Sequence, residues 1–402
     1  MKKVCGLDVH KDTIFCAIFD GEKATEVKEF ETFTQTIKDM GVWLKQEGVR
    51  EVAMESTGIY WIPVWNVLEE MGFELMLVNP YLIKQMPGRK SDVKDAQWIA
   101  TLLHKKLLRG SFVPDKTIRE LRSYSREYVK LGEMISQATQ KMEKILEMSN
   151  IRITSLVSKN NGVSVIKVIE KIIEGKDTVE ELNKCIHSRI INSKGDLVKL
   201  SLEGHIEEHH RFNLKITYDQ YKLFSEQLLQ IEEKMAEICD KHYSEQLKLL
   251  ETLPGVKKQA AMQIIAETGG DMNAFENSSK LAGWAGLRPR NDESAGKLKS
   301  KAVTKGNKFL RRIMVQCAWA ASRKKDTFYK AKFEQLCIRK PRKKALIAIA
   351  RKLLVVVWCV LKEKSPFNHS ILPVYNPEKI KAKIEYHQRE LVKLEALGFN
   401  FV

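Results

Sequence analysis

Four acids in this sequence have types and spacing that could do chemistry. Asp92 and Asp95 stand three apart in GRKSDVKDAQWIATLL (88–103), where a basic loop turns into apolar-periodic sequence. At i and i+3 on the first turn of a helix, both carboxylates can share one face. Helix capping by Ser91 or Asp92 accounts for that pair taken alone, since acids favour the positive N-terminus. Asp8 and Glu55 change the weighing. Asp8 interrupts an apolar strand in CGLDVHKD, and Glu55 ends another in VAMESTG. An acid inside or at the tip of a core strand is costly unless something pairs with it. Strand tips beside loops are also where α/β sheets build their sites.

If the two strands are neighbours, Asp8 and Glu55 become neighbours, and a following helix can bring Asp92 and Asp95 over the same spot. Carboxylates crowded in this way repel one another, and a hard divalent cation relieves the repulsion. Mg²⁺, with Mn²⁺ as a substitute, takes carboxylate oxygens and keeps waters and substrate phosphates as its other ligands. Two such ions about 4 Å apart stabilise the attacking and leaving oxygens of a phosphodiester displacement.

The elements that must position these acids follow from the hydrophobic pattern. KVCGLDV, TIFCAIF and EVKEFETF read as three strands, with DGEK at 20–23 as a hairpin-type turn. Residues 34–47 have helical spacing, with Ile37, Met40, Trp43 and Leu44 on one face. EVAMEST, YWIPVWNVLEEMG and ELMLVNP then read as strand, helix and strand, and a helix follows. Three strands, helix, strand, helix, strand, helix is the order of an RNase H-like domain, a mixed sheet with helices on its faces.

From about 116 to 150, and again over 218–253, the sequence is helical and charged. The two stretches are expected to pair as an antiparallel coiled coil, within the chain or between chains. Residues 155–210 between them carry weak patterning and no assignment. LPGVKKQAAMQIIAETGG (253–270) resembles a helix-hairpin-helix element, whose turn amides can meet a DNA phosphate. The expected fold is an α/β RNase H-like (RuvC-like) N-terminal domain, a long helical coiled-coil insert and a mainly α-helical C-terminal domain. The expected boundaries are 1–115, 116–250, 251–365 and a helical tail at 366–402.

Charge bounds the partner. Lys and Arg outnumber Asp and Glu by 68 to 51, giving a net charge of +17, which favours a polyanion. Residues 297–312 hold seven basic side chains and no acid, as do residues 337–352. The positive charge therefore gathers in the C-terminal third. ALIAIARKLLVVVWCVL is interrupted by Arg351 and Lys352 and reads as a buried helix, so no membrane partner is expected. The seven cysteines form no C-x-x-C pair and are expected to be reduced packing residues in a cytoplasmic protein.

GLDVHKD, MESTGIYW and KSDVKDAQWIA together resemble the insertion-sequence transposases of the "IS one-ten" family. LAGWAGLRPRNDESAGKLKSKAVTKGNKFLRR is similar to that family's second block. The resemblance implies an Asp-Glu-Asp-Asp tetrad on a RuvC-like domain, carried here by Asp8, Glu55, Asp92 and Asp95. It also implies that Ser294, in NDESAGK, attacks DNA covalently. Read by itself, Ser-Ala-Gly is turn chemistry, and a serine is a weak nucleophile without activation. Lys84, Arg89, Lys90, Arg288, Arg290, Lys297, Lys299, Lys301, Lys305, Asn307, Arg311 and Arg312 are the expected nucleic-acid contacts. The family likeness further implies a prokaryotic, nucleoid-associated protein, DNA as substrate, a homo-oligomer (dimer or tetramer), and in some members a structured guide RNA.

Two other readings use the same residues. A Holliday-junction resolvase-like nuclease would use the four acids with water as nucleophile and leave Ser294 idle. A non-catalytic nucleic-acid-binding protein would use the acids only as caps and lysine partners. HIEEHH (205–210) puts His205 and His209 at a spacing that suits zinc. The helix is acidic, however, and the sequence shows no third ligand, so the match reads as fortuitous. Tyr60 and Trp61 read as core packing before base stacking.

Overall fold

The computed structural model describes residues 2–396, leaving out 57, 81–91, 290–291, 295–296, 301, 326 and 369–376. At 92–94, 292–294, 297–300 and 377–383 only the backbone is described. The chain forms two compact units, Met1–Pro114 and Asp115–Val402.

The first unit is built on β1 (Val4–Val9), β2 (Thr13–Phe19), β3 (Lys28–Glu31), α1 (Thr34–Gln46), β4 (Glu51–Glu55), α2 (Trp61–Glu70), β5 (Glu74–Val78) and α3 (Asp92–His104). The sheet order is β3-β2-β1-β4-β5. β1 and β2 pair antiparallel, as do β2 and β3, while β1–β4 and β4–β5 pair parallel. This is the mixed RNase H-like topology that the element order predicts. The turn expected at DGEK forms because the Asp20 carboxylate accepts from the amides of Glu22 and Lys23, at 2.9 and 3.0 Å.

β1 is buried at every position, as a central strand covered on both faces must be. Its alternation sends Cys5, Leu7 and Val9 into the core under α1 and α2, with Ile37, Met40, Leu44, Val64 and Leu68. Val4, Gly6 and Asp8 face the other way. On that side Val4, Ala53 and Val78 pack against Ile99, Ala100 and Leu103 of α3. Gly6 permits the approach, because a Cβ there would fall well inside contact with Ala96 O and Ala100 N. The direction of α3 follows from its far end. His104 meets the ring of Phe19 at 5.2 Å, and Phe19 is the β2 partner of Val4. The helix therefore begins over the Asp8 end of β1 and runs back toward Val4. Gly6→Ala is expected to lift α3 off the sheet, costing about 1–3 kcal/mol. A thermal melt checks the destabilisation, and a cleavage assay checks the displaced acids.

The second unit opens with α4 (Lys116–Met148), capped by Asp115, whose side chain accepts from Ile118 N. Four short helices follow: α5 (Val163–Ile173), α6 (Val179–Lys184), α7 (Ser188–Lys194) and α8 (Asp196–Leu202). α9 (Glu208–His242) then packs back along α4. The end of α4 (Met142, Ile145, Leu146) and the start of α9 (Leu214, Tyr218) share a core with Val168, Ile169, Leu182 and Val198, so the long helices run antiparallel within one chain. Residues 155–210 resist sequence reading because helices of six to eleven residues carry too few turns for a periodic signal. α9 starts ten residues earlier than the charged pattern suggests and ends before Tyr243, where the backbone leaves helical geometry.

α10 (Ser244–Glu251) and α11 (Lys258–Thr268) flank the Pro254–Gly255 turn. Gly255 has φ of 82° and lies against Cys317 O and Ala321 N. α11 ends at Gly269 in the left-handed region, φ 86°. Then come α12 (Ser278–Trp284), the hairpin β6 (Asp292–Ser294) and β7 (Lys297–Ser300), α13 (Lys308–Arg323), α14 (Phe328–Cys337), α15 (Arg342–Glu363) and α16 (Pro377–Ala396). α15, the apolar run near the C-terminus, buries Ala345, Ile349, Leu353, Leu354 and Val357. Among the described residues no helix is long and apolar enough to cross a membrane. Cys5, Cys16, Cys239 and Cys317 are buried packing residues. Burial pushes the Cys239 and Cys317 thiols up to about 12, so neither is a ready thiolate.

Candidate active site

The register of β1 on β4 pairs Gly6 with Ala53 and Leu7 with Met54. Continued by one residue, it sets Asp8 beside Glu55 on the face that α3 covers. Asp8 is 7 % exposed, and its Oδ2 lies 3.2 Å from His10 Nε2. His10 rests edge-on to Phe15, the cross-strand partner of Asp8. Glu55 closes β4, and the next amide, Ser56 N, donates to Val78 O at 2.9 Å, which ties the loop after Glu55 to β5. Asp95 is half-buried on the first turn of α3. Asp92 begins that helix, and its side chain lies outside the described residues. Topology thus gathers the four acid positions at one end of the sheet, two on parallel strands and two on the helix above them.

The donor set is carboxyl oxygen, with the buried Asp8 among its members. That composition fits a hard divalent cation and not a thiolate-loving one. Asp8, Glu55 and Asp95 converge by topology. The one group among the described residues with three such ligand atoms within 4.8 Å is Glu207, His209 and His210. The structure thus supplies neighbours that the sequence reading of HIEEHH did not see. They are occupied in capping α9. Glu207 accepts from the backbone at His210, and the His210 ring accepts from Glu207 N at 3.3 Å. Glu207 also pairs with His205 and His209, at 3.3 and 3.1 Å.

The other predicted residues belong to the second unit or to undescribed positions. Ser294 ends β6, in register with Lys297 of β7; its side chain, and those of Lys297 and Lys299, lie outside the description. Lys84, Arg89, Lys90, Arg290 and Lys301 fall outside the described residues altogether. Arg288 and Lys305 are exposed and Arg311 is half-buried. Arg312 pairs with Glu133 of α4. Asn307 is committed within the fold. Its Oδ1 caps α13 by accepting from Phe309 N and Leu310 N, both at 3.0 Å, and its Nδ2 donates to Glu267 at 2.6 Å. Tyr60 is exposed, whereas Trp61 packs against the core, 5.8 Å from Trp65.

Sequence reasoning missed two residues. His10 is legible as the polar residue two positions after a strand acid, which returns to the same side of a strand. Glu267 is legible as the lone charge in the mostly apolar AAMQIIAET, and it is 1 % exposed in the structure.

The strand order and the acids at one end of the sheet define the class of this domain as RNase H-like. Two family models match the chain. The first, for the DEDD domain of IS110 elements and described as Transposase, covers residues 5–151. The second, described as Transposase IS116/IS110/IS902 family, covers residues 247–332. The first span holds the four acids and the second holds Ser294. The chain belongs to this IS110 family of transposases.

Among named relatives, the pilin gene-inverting protein of Moraxella bovis is 26 % identical over 39 % of this chain, and the match spans about half of that protein (49 %). A putative transposase of Sinorhizobium fredii is 24 % identical over 76 % of this chain and 71 % of its own length. The uncharacterized 42 kDa protein of insertion element IS900, from Mycobacterium paratuberculosis, is 30 % identical over 30 % of this chain and 31 % of its own length. Among solved structures, T. thermophilus RuvC in complex with a Holliday junction substrate aligns with 28 % of this chain and 100 % of its own, at 13 % identity and a TM-score of 0.22. The strand order itself, and not that likeness, defines the topology here.

Proposed function

We propose that this chain cuts and rejoins DNA strands to mobilise an insertion sequence, with Asp8, Glu55, Asp92 and Asp95 as the metal-binding acids and Ser294 as the nucleophile. The observation that carries the metal half of the reading is the β1–β4 register, which sets Asp8 beside Glu55 under the start of α3. The serine half is supported by membership of the family and by the hairpin, which sets Ser294 opposite Lys297.

In this reading the Ser294 Oγ attacks a backbone phosphorus. The Oγ–P bond forms as a P–O bond to one sugar breaks, and the proton lost from the serine ends on the released sugar hydroxyl. Rejoining reverses the step with a different hydroxyl, so no outside energy source is needed. The four acids hold Mg²⁺, with Mn²⁺ as substitute, and the ion when bound neutralises charge building on the phosphate. Asp8 is buried and held by the strand, so it needs little reorganisation to serve as an anchor. His10 orients that carboxylate from the strand end. Arg288, Lys297, Lys299, Lys305 and Arg311 contact phosphates, as do Lys84, Arg89, Lys90, Arg290, Lys301 and Arg312.

The partners that accompany this reading are DNA, further copies of the chain, and a structured RNA whose backbone the same +17 charge accommodates. Duplex binding should be strongly electrostatic. Titrations at rising salt are expected to show affinity falling about 10³-fold or more between 50 and 200 mM, as for about six or more phosphate contacts. A flat salt response would remove the basic residues from the account. A denaturing gel of DNA ends incubated with the protein and Mg²⁺ tests the activity directly: strand cuts are expected, and binding without cuts would favour the non-catalytic alternative.

A further inference from the structure

Glu267 is the most deeply buried acid among the described residues, on α11 as the one charged residue of AAMQIIAET. A carboxylate there is tolerable only because its surroundings answer it. Arg126 of α4 grips it with two hydrogen bonds, Nε to Oε1 at 3.0 Å and Nη2 to Oε2 at 3.1 Å. Arg122 sets its Nε 3.7 Å from Oε2 and donates to the carbonyls of Ala266 and Glu267, at 3.0 and 2.8 Å. Asn307 Nδ2 supplies the last donor at 2.6 Å. Buried ion pairs of this kind add little net stability, and their best-attested use is to fix a register.

The register fixed here is that of the Ser294 hairpin. Asn307 is bound at three points: its Nδ2 to Glu267, its Oδ1 to the first turn of α13, and its backbone N to Trp284 O at 2.8 Å. Trp284 ends α12, where the chain leaves toward β6, and Asn307 is where it returns from β7. Between them Thr304 N donates to Arg288 O at 2.9 Å, and Pro289 bridges to Val303. Gly286, at φ 69°, and Gly306 let the two backbones touch, since a Cβ on either would strike the other segment. The Arg126 guanidinium also covers the Phe309 ring at 4.7 Å, bracing the same first turn of α13 from α4. The base of the hairpin is therefore pinned to a buried charge network, and β6 and β7 extend from that base.

We infer that Glu267, acting through Asn307, is a positioning residue that sets the hairpin presenting Ser294; the catalytic half of this inference rests on the serine reading above. Asn307→Ser separates positioning from folding, because serine keeps a capping oxygen for α13 but has no amide to offer Glu267. Amide hydrogen exchange on the full chain is expected to speed up about tenfold or more across Asp292–Ser300 while α15 exchanges as in wild type. The yield of serine–DNA adduct is expected to fall by a similar factor at unchanged DNA affinity. The pair Glu267→Gln with Asn307→Asp reverses the hydrogen bond and keeps one negative charge. It should recover the adduct that each single change loses.

Unaltered exchange in the hairpin of folded Asn307→Ser would overturn the inference, as would unaltered adduct yield with the exchange accelerated. If wild type itself forms no adduct, the serine reading fails on its own. The exchange data then decide whether Glu267 holds the hairpin.

Discussion

Asp8→Asn is expected to abolish strand cleavage, by about 10³-fold or more, while leaving duplex binding intact. That factor corresponds to about 4 kcal/mol of lost transition-state stabilisation. The substitution is nearly isosteric, and it removes one of four like charges gathered at one end of the sheet, so the fold has no reason to suffer. What it removes is an anionic oxygen held, 7 % exposed, at the end of the central strand. A neutral amide there is a poor ligand for a hard cation. Cleavage on a denaturing gel and affinity by fluorescence anisotropy, measured on the same preparation, check both halves. Loss of binding together with cleavage would mean that Asp8 serves the fold. Retained cleavage would remove the tetrad from the chemistry.

Ser294→Ala is expected to have an effect of the same order, with a different signature. The hairpin pairs through its backbone, so alanine should leave β6 and β7 in place, metal binding untouched and the melting temperature unmoved. Only the nucleophile is lost, and with it about 10³-fold or more of the rate, since residual activity must come from binding and electrostatics alone. Full cleavage by Ser294→Ala would transfer the nucleophile's role to water and leave the acids as a nuclease site.

Much of the first unit was legible because its signals are local and strong. The acid inside β1, the acid ending β4 and the apolar runs around them mark both strands; their adjacency was only a condition in the sequence, and the parallel β1–β4 ladder supplies it. α1 buries Ile37, Met40 and Leu44, three of the four residues that periodicity selected, because an amphipathic stripe is written in the sequence itself. What stayed hidden depends on partners distant in sequence. Nothing near Gly6 says that α3, ninety residues on, lies against it. Nothing near Asn307 says that Glu267 occupies its amide; the local KGNK reads as a phosphate contact. The four short helices at the tip of the α4–α9 pair were unreadable for another reason. Each is amphipathic over too few turns, and their common core exists only once Met142, Ile145 and Leu214 close it from both long helices.

The central claim is that DNA is cut by a covalent attack from the second unit of a chain whose first unit carries the acids. The most direct measurement incubates wild-type protein with the element's DNA ends and Mg²⁺, denatures the mixture, digests it, and sequences any peptide left bearing a nucleotide. The account predicts a phosphoester on Ser294, formed with Mg²⁺ and absent when the metal is chelated. Cut strands with no protein-linked DNA, or a link on any other residue, would contradict it.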